Sequence, residues 1–196
     1  MTIHRLLAER HSPLAFDPDR DLHEDQVTTL FEAARWAPSC FNDQPWRYLA
    51  WHRSADPEAY EAALDCLVEG NRIWAHRAPV LVAALADTKF RRGKANRWGA
   101  YDTGAASLGL CLQATAMGLV THQMGGFDAD AISNRFGVPK RYEPMAMIAV
   151  GYPGAVELLD EKQAARQAQP RVREPLSDML FMGYWGGADP DTNTRE

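Results

Sequence analysis

The chain offers five groups of residues whose types and spacing suit the grip of a flat, phosphorylated molecule. In RHS, Arg10, His11 and Ser12 follow a short amphipathic stretch; a guanidinium there can hold a phosphate through two bonds and a hydroxyl can add a third. A plain helix-terminal arginine gives the same pattern. In APSCFNDQPWRYLAW, residues 37–51, Pro38 is followed by Ser39 and Asn42 as donors toward a polyol or a ring edge; turn formation alone uses the same residue types. Asn71, in EGNRIW, presents donor and acceptor together, although a helix-ending Asn is an equal reading. Met124, Gly125 and Gly126 close a strand, where two glycines let a planar ligand approach the backbone N–H groups, or satisfy a tight turn. In RVREP, Arg171 and Arg173 share one side of an extended segment and can converge on one phosphate; a solvated arm would read alike.

Familiar signatures of other chemistries are missing. There is no GxGxxG, so a nicotinamide cofactor is not held on a Rossmann loop. GAASLG at 104–109 lacks the Lys-Ser/Thr of a phosphate loop, HEDQV is not HExxH, and no His/Cys cluster has zinc spacing. His4, His11, His23, His52, His76 and His122 are dispersed, and taken singly each reads as surface or core. No residue is nominated as catalytic and no metal is expected.

The elements that must position these groups alternate between helix and strand. TIHRLLAER and Asp21–Trp36 read as helices, and WRYLAWHR as a strand. DPEAYEAALDCLVEG reads as one helix with Asp56 as N-cap, Pro57 at its first position and Gly70 at its end. The apolar run RAPVLVAALAD suits a strand covered on both faces. A long helix spans about 96–118, then come a strand in GLVTHQM, a short helix in DADAISNRFGV and a buried strand in YEPMAMIAVGYPG. From residue 158 onward the chain turns polar, as an arm and a frayed tail. The element order implies a single domain over 1–196 with a mixed sheet flanked by helices on both faces.

Bulk properties narrow the class. Apolar residues make up 46%, ample for a core, and the net charge of −5 with scattered basic residues argues against nucleic acid as a partner. Cys40, Cys66 and Cys111 are odd in number and lack CxxC spacing, as free thiols in a reducing cytoplasm would. The N-terminus has no apolar signal region, so a cytoplasmic location is expected. Thr103–Val120 carries no charge but holds Ser107, Gln113 and Thr115 and has no basic flank; a helix buried all round, partly against a second subunit, is expected rather than a membrane span.

Taken together and in order, RHSPLAF, APSCFNDQPWRYL, GNRIW, APVLVAALAD, YDTGAASLGL, GLVTHQMGGFD, VPKRYEPMAMIAVGYP and RVREPLSDML resemble the nitroreductase family of FMN-dependent oxidoreductases. The resemblance runs from about Arg5 to Leu180, with APSxxNxQPW and GLVTHQMGGFD its most specific parts. It implies an α+β fold with a mixed, largely antiparallel sheet flanked by helices, an intertwined homodimer with FMN at the subunit interface, NADH or NADPH as reductant, and a small electrophile such as a nitroaromatic or quinone as acceptor in a ping-pong scheme. Under it, Arg10, His11 and Ser12 match the motif on the phosphate and ribityl chain, and Arg171 and Arg173 the C-terminal pair on the phosphate. Asn71 matches a side chain on the pyrimidine edge, and Met124, Gly125 and Gly126 the turn beside N5. Pro38, Ser39 and Asn42 match a loop reaching the flavin held mainly by the other subunit. One position departs from the family motif: Leu14 stands where a second basic residue is usual, which implies a lower potential for two-electron reduction unless Arg72 substitutes. Trp74 and Trp98 read as core packing near pocket walls. The alternatives are a specialised member acting on a non-nitro substrate and a flavin-binding protein without turnover.

Overall fold

A computed structural model of the protein describes residues 3–187. Helices α1 (Arg5–Glu9) and α2 (Glu24–Arg35) precede strand β1 (Trp46–His52). Then come α3 (Pro57–Leu64), α4 (Glu69–Ala75), β2 (Val80–Asp87), α5 (Gly99–Ala116), β3 (Val120–Met124), α6 (Ala129–Arg135), β4 (Tyr142–Gly151) and α7 (Glu161–Gln167). The four strands form one sheet in the order β1-β2-β4-β3. Every ladder is antiparallel, so the sheet is simpler than the mixed arrangement the sequence implies.

Both faces of this sheet are covered, and the side-chain alternation of the central strands shows how. Leu81 and Ala83 of β2, with Met147 and Ala149 of β4, pack into a core with Tyr60, Trp74 and Ile132. Val80, Val82, Ile148 and Val150 face a second core built with Leu30 and Ala34 of α2 and Leu110 and Ala114 of α5. With two apolar faces to fill, β2 is buried at every residue, which is why its sequence reads as an unbroken apolar run. The ladder slips between Ala84 and Leu85, where β4 places Met145 out of register beside Pro144. A proline is tolerated in an inner strand at such a bulge because the ladder is already interrupted there.

The expected single helix from Asp56 to Gly70 is two helices. Asp56 caps α3 by accepting from Ala59 N–H at 3.0 Å, as its position predicts. At 66–68, however, the chain lies beside 126–128: Val68 N–H donates to the Gly126 carbonyl at 3.1 Å and Asp128 N–H to the Cys66 carbonyl at 2.8 Å. Those tertiary bonds replace intrahelical ones, and Gly70 falls inside α4 instead of ending a helix.

For helix α5 the expectation is burial all round, partly against a second subunit, and a single chain supplies one part of that cover. Asp102, Thr103, Ala106, Leu110, Cys111 and Ala114 form a buried stripe against the sheet and α2. Tyr101 and Leu108 lie on the opposite side, 75% and 43% exposed, so within one chain the helix is covered on one face only. Gly109 allows close contact with α2, since a Cβ there would lie 3.1 Å from the Ala33 carbonyl. Among the described residues no helix is long and apolar enough to cross a membrane, and all three cysteines are free. The expected frayed tail beyond residue 187 lies outside the described residues.

Candidate functional site

The segment after α1, strand β3 and the end of α7 meet around a cavity of about 330 Å³. It collects five of the residues singled out in the sequence, Arg10, His11, Ser12, Arg171 and Arg173. It also brings in three that sequence reasoning passed over, His122, Arg166 and Gln167. Among the described residues four arginines line it and no carboxylate does, so its walls favour a dianionic group.

Local bonding explains how the cavity is held. The Gln167 side-chain oxygen accepts from the N–H groups of Leu14 at 2.7 Å and Ala15 at 3.0 Å, pinning the N-terminal segment to α7. Arg171 donates to the carbonyls of Arg10 at 2.8 Å and Ala8 at 2.6 Å. This changes its expected role: its fork satisfies the terminal carbonyls of α1 and thereby places Arg10, while its charge still lines the cavity. Arg10 reaches Ser12 Oγ at 3.4 Å.

His122 links this cavity to the next part of the site. Its Nδ1 lies 2.8 Å from the Pro13 carbonyl, so Nδ1–H is the donor and Nε2 is left as an acceptor in the neutral ring. Burial holds its pKa below the ordinary histidine value, and nearby Arg166 adds repulsion. The ring packs on Trp74, with centroids 4.5 Å apart, and Trp74 is fully buried and stacks on Phe16, as core packing requires. Two residues along β3 lies Met124, roughly 7 Å further on at ordinary strand spacing.

At that end, Asn71 Nδ2 donates to the Gly126 carbonyl at 3.0 Å, so two residues predicted from separate motifs are bonded to each other. Met124 itself is buried, and its side chain belongs to the core instead of the site surface. Around Gly125 there is open space for a Cβ, whereas Gly126 has none.

The loop holding Pro38, Ser39 and Asn42 is elsewhere. It leads into β1, and β1 and β3 are the two edge strands, three strand spacings or about 14 Å apart. The loop is unusually shaped: Phe41, Asn42 and Gln44 adopt φ of 55°, 54° and 51°. Such left-handed backbone in non-glycine residues costs about 1–3 kcal/mol each and persists only where surrounding bonds fix it. Here Ser39 Oγ accepts from Gln44 N–H at 3.0 Å, and the buried Asp102 carboxylate accepts from Cys40 N–H at 3.0 Å. Pro38 and Ser39 border an open hollow with Trp98 and Tyr101 at the start of α5. Trp98, expected in the core, is 40% exposed there.

Two further expectations are settled by burial and pairing. Leu14 is 2% exposed, a core residue and not merely an uncharged one. Arg72 is engaged with Glu69 at 2.5 Å and Asp65 at 3.5 Å, so its guanidinium is already neutralised.

Comparison with known proteins gives a consistent match. The model of the nitroreductase family matches residues 7–152. An uncharacterised 15.4 kDa protein from the ask 5′ region of Mycolicibacterium smegmatis is 36% identical over 132 residues, which cover 67% of this chain and 88% of that protein. YdgI of Bacillus subtilis, provisionally named an NAD(P)H nitroreductase, is 27% identical over 183 residues, covering 74% of this chain and 86% of YdgI. A crystal structure described as an oxidoreductase containing FMN superposes with a TM-score of 0.88 at 32% identity, covering 94% of this chain and 93% of the other.

Proposed function

This chain belongs to the nitroreductase family, and on that premise we propose that it is an FMN-dependent oxidoreductase using NADH or NADPH to reduce a small electrophile. The observation that carries the reading is the cavity lined, among the described residues, by four arginines and no acid, and connected through His122 and Trp74 to the bonded pair Asn71 and Gly126. A phosphate dianion fits the first part, and an amide beside a glycine turn fits the edge of a flat ring. Support also comes from the FMN-containing structure that this chain resembles and from the name of YdgI.

When bound, FMN supplies hydride acceptance and donation at its N5 atom. The chain's own residues bind and orient. Arg10, His11, Ser12, Arg166 and Arg173 would hold the phosphate end, with Arg171 fixing Arg10 and adding its charge. Asn71, Gly125, Gly126 and the Met124 backbone would border the ring. No side chain is asked to act as nucleophile, which agrees with the absence of such a constellation in the sequence.

Pro38, Ser39 and Asn42 would complete the site from a second copy of the chain, because within one chain they sit beyond the opposite edge of the sheet. Two uncovered apolar surfaces favour that homodimer: the outer face of α5 with Tyr101 and Leu108, and the arm after α7, where Val172, Leu176, Met179 and Leu180 are 73%, 65%, 61% and 52% exposed. Sedimentation should give a dimer, with Leu108→Asp shifting it toward monomer; a flavin-loaded monomer in dilute wild-type protein would sink this part.

The test of the main reading is a visible spectrum of the purified protein, followed anaerobically by addition of NADH and then NADPH. Flavin bands that bleach support it. A protein that takes up no FMN would end it, and bands that persist would leave a flavin-binding protein without turnover.

A further inference from the structure

The hairpin after β2 has no part in the flavin reading, yet it carries a concentration of charge unusual in a chain of net −5. Its tip reads FRRGK at 90–94. A bridge between Lys89 and Ala95 and a 2.8 Å bond from Phe90 N–H to the Lys94 carbonyl close it, and Gly93 supplies the φ of 84° that the turn needs. Its base is firmly mounted. Asp87, 5% exposed, accepts two bonds from Arg141 at 3.0 and 2.6 Å, and Asn96 N–H donates to the Thr88 carbonyl at 2.7 Å.

The tip leans on the strained loop before β1. Arg91 N–H donates to Asp43 Oδ1 at 3.2 Å, and the Phe90 ring meets the Phe41 ring edge-on, with centroids 6.0 Å apart. Between hairpin and loop opens a cavity of about 450 Å³, the size of a small-ligand pocket. Phe41, 91% exposed, is held out at its rim by backbone in the left-handed region. Arg91, Arg92 and Lys94 line the cavity and are exposed, and among the described residues none of their side chains pairs with a carboxylate. Asp43 is the one acid on the lining among the described residues.

We propose that this cavity takes the adenosine 2′-phosphate end of NADPH and makes the chain prefer NADPH to NADH. An exposed aromatic ring offers a face for a purine base, and three cations against one carboxylate suit a phosphate dianion. Asn42 lines this cavity and also belongs to the loop assigned to the flavin rim, so the two ends of one nucleotide could be served from the same loop. The inference rests on the flavoenzyme reading above.

The test uses the FMN-loaded protein and an Arg91→Ala/Arg92→Ala variant, both substitutions being on the exposed tip. Calorimetry compares adenosine 2′,5′-bisphosphate with adenosine 5′-phosphate, which lacks the 2′ group. The wild type should bind the bisphosphate about tenfold or more tighter, and the variant should lose most of that difference. In anaerobic flavin reduction, the ratio of second-order rate constants for NADPH over NADH should fall about tenfold in the variant. Equal binding of the two adenosine phosphates by the wild type, or a ratio that the substitutions do not move, overturns the proposal. So does a variant that loses only turnover of an anionic acceptor such as 4-nitrobenzoate, since the cavity would then serve the acceptor. Tight bisphosphate binding with a flavin that neither nucleotide reduces would uphold the site and reject the reductase reading.

Discussion

Asn71 and Gly126 constrain one another: the amide nitrogen of Asn71 bonds the Gly126 carbonyl at 3.0 Å, and a Cβ placed on Gly126 would lie 2.9 Å from that same nitrogen. Gly126→Ala should therefore push the Asn71 amide aside and not rupture the fold, because the obstructing atoms are side-chain ends. The expected cost is about 1 kcal/mol of stability for the lost bond, together with weaker FMN binding and a shifted flavin spectrum. Gly125→Ala, whose Cβ meets nothing, should cost less stability. Chemical denaturation and flavin titration check both.

Arg171 and Arg173 should fail in different ways although the sequence presents them as a pair. Arg171→Ala removes the bonds to Ala8 and Arg10, so hydrogen exchange at residues 6–10 should rise as FMN affinity falls. Lysine at 171 should restore only part of the affinity, since one ammonium does not reproduce a planar fork. Arg173, whose guanidinium among the described residues reaches only the Val172 carbonyl, should act through charge. Arg173→Ala should flatten the salt dependence of FMN binding without the change in exchange.

Leu14→Lys tests the missing cation only at a structural cost. The side chain is 2% exposed, and a buried ammonium without a partner should lower stability by about 3 kcal/mol or more. Leu14→Met should stay within about 1.5 kcal/mol. Urea melts of the two variants check this, and a flavin potential measured on the lysine variant is informative only where its native fraction is complete.

His122 should make stability depend on acidity. Its folded pKa lies below the ordinary value of 6.5, chiefly through burial, so the unfolded chain binds the proton more readily. The stabilisation is present above the unfolded value and is lost as pH falls from about 6.5 toward the folded pKa. His122→Gln should flatten that part of the Tm profile, measured at constant flavin content. A profile equally steep in both proteins would assign the slope to other groups.

Much of this was legible before the structure because the signals were strong and local. The buried strand β2 announces itself through an unbroken apolar run, and the Asp56 cap through position. Of the arginines that line the cavity, Arg10, Arg171 and Arg173 were found through order and resemblance. What stayed hidden depended on distant chain. The break between α3 and α4 comes from bonds to residues 126–128, which no local pattern reports. His122, Arg166 and Gln167 looked like scattered polar residues until β3 and α7 closed on the same cavity, although His122 sits two positions before Met124 and so shares its strand face. Arg171 lines the cavity beside Arg173, but its fork also donates to the carbonyls of Ala8 and Arg10, bonds across the chain that no local pattern reports.

The clamp from Arg171 to Ala8 and Arg10 spans 163 and 161 residues. During synthesis, all four strands of the sheet are present once residue 151 is made, while Leu159 of one core and the arginines at 166, 171 and 173 are still to come. On the flavin reading proposed above, cofactor capture would then audit chain completion: a product ended early would lack three of the four arginines of the cavity, and pigment in a preparation would report how many molecules were made to the end of this arm.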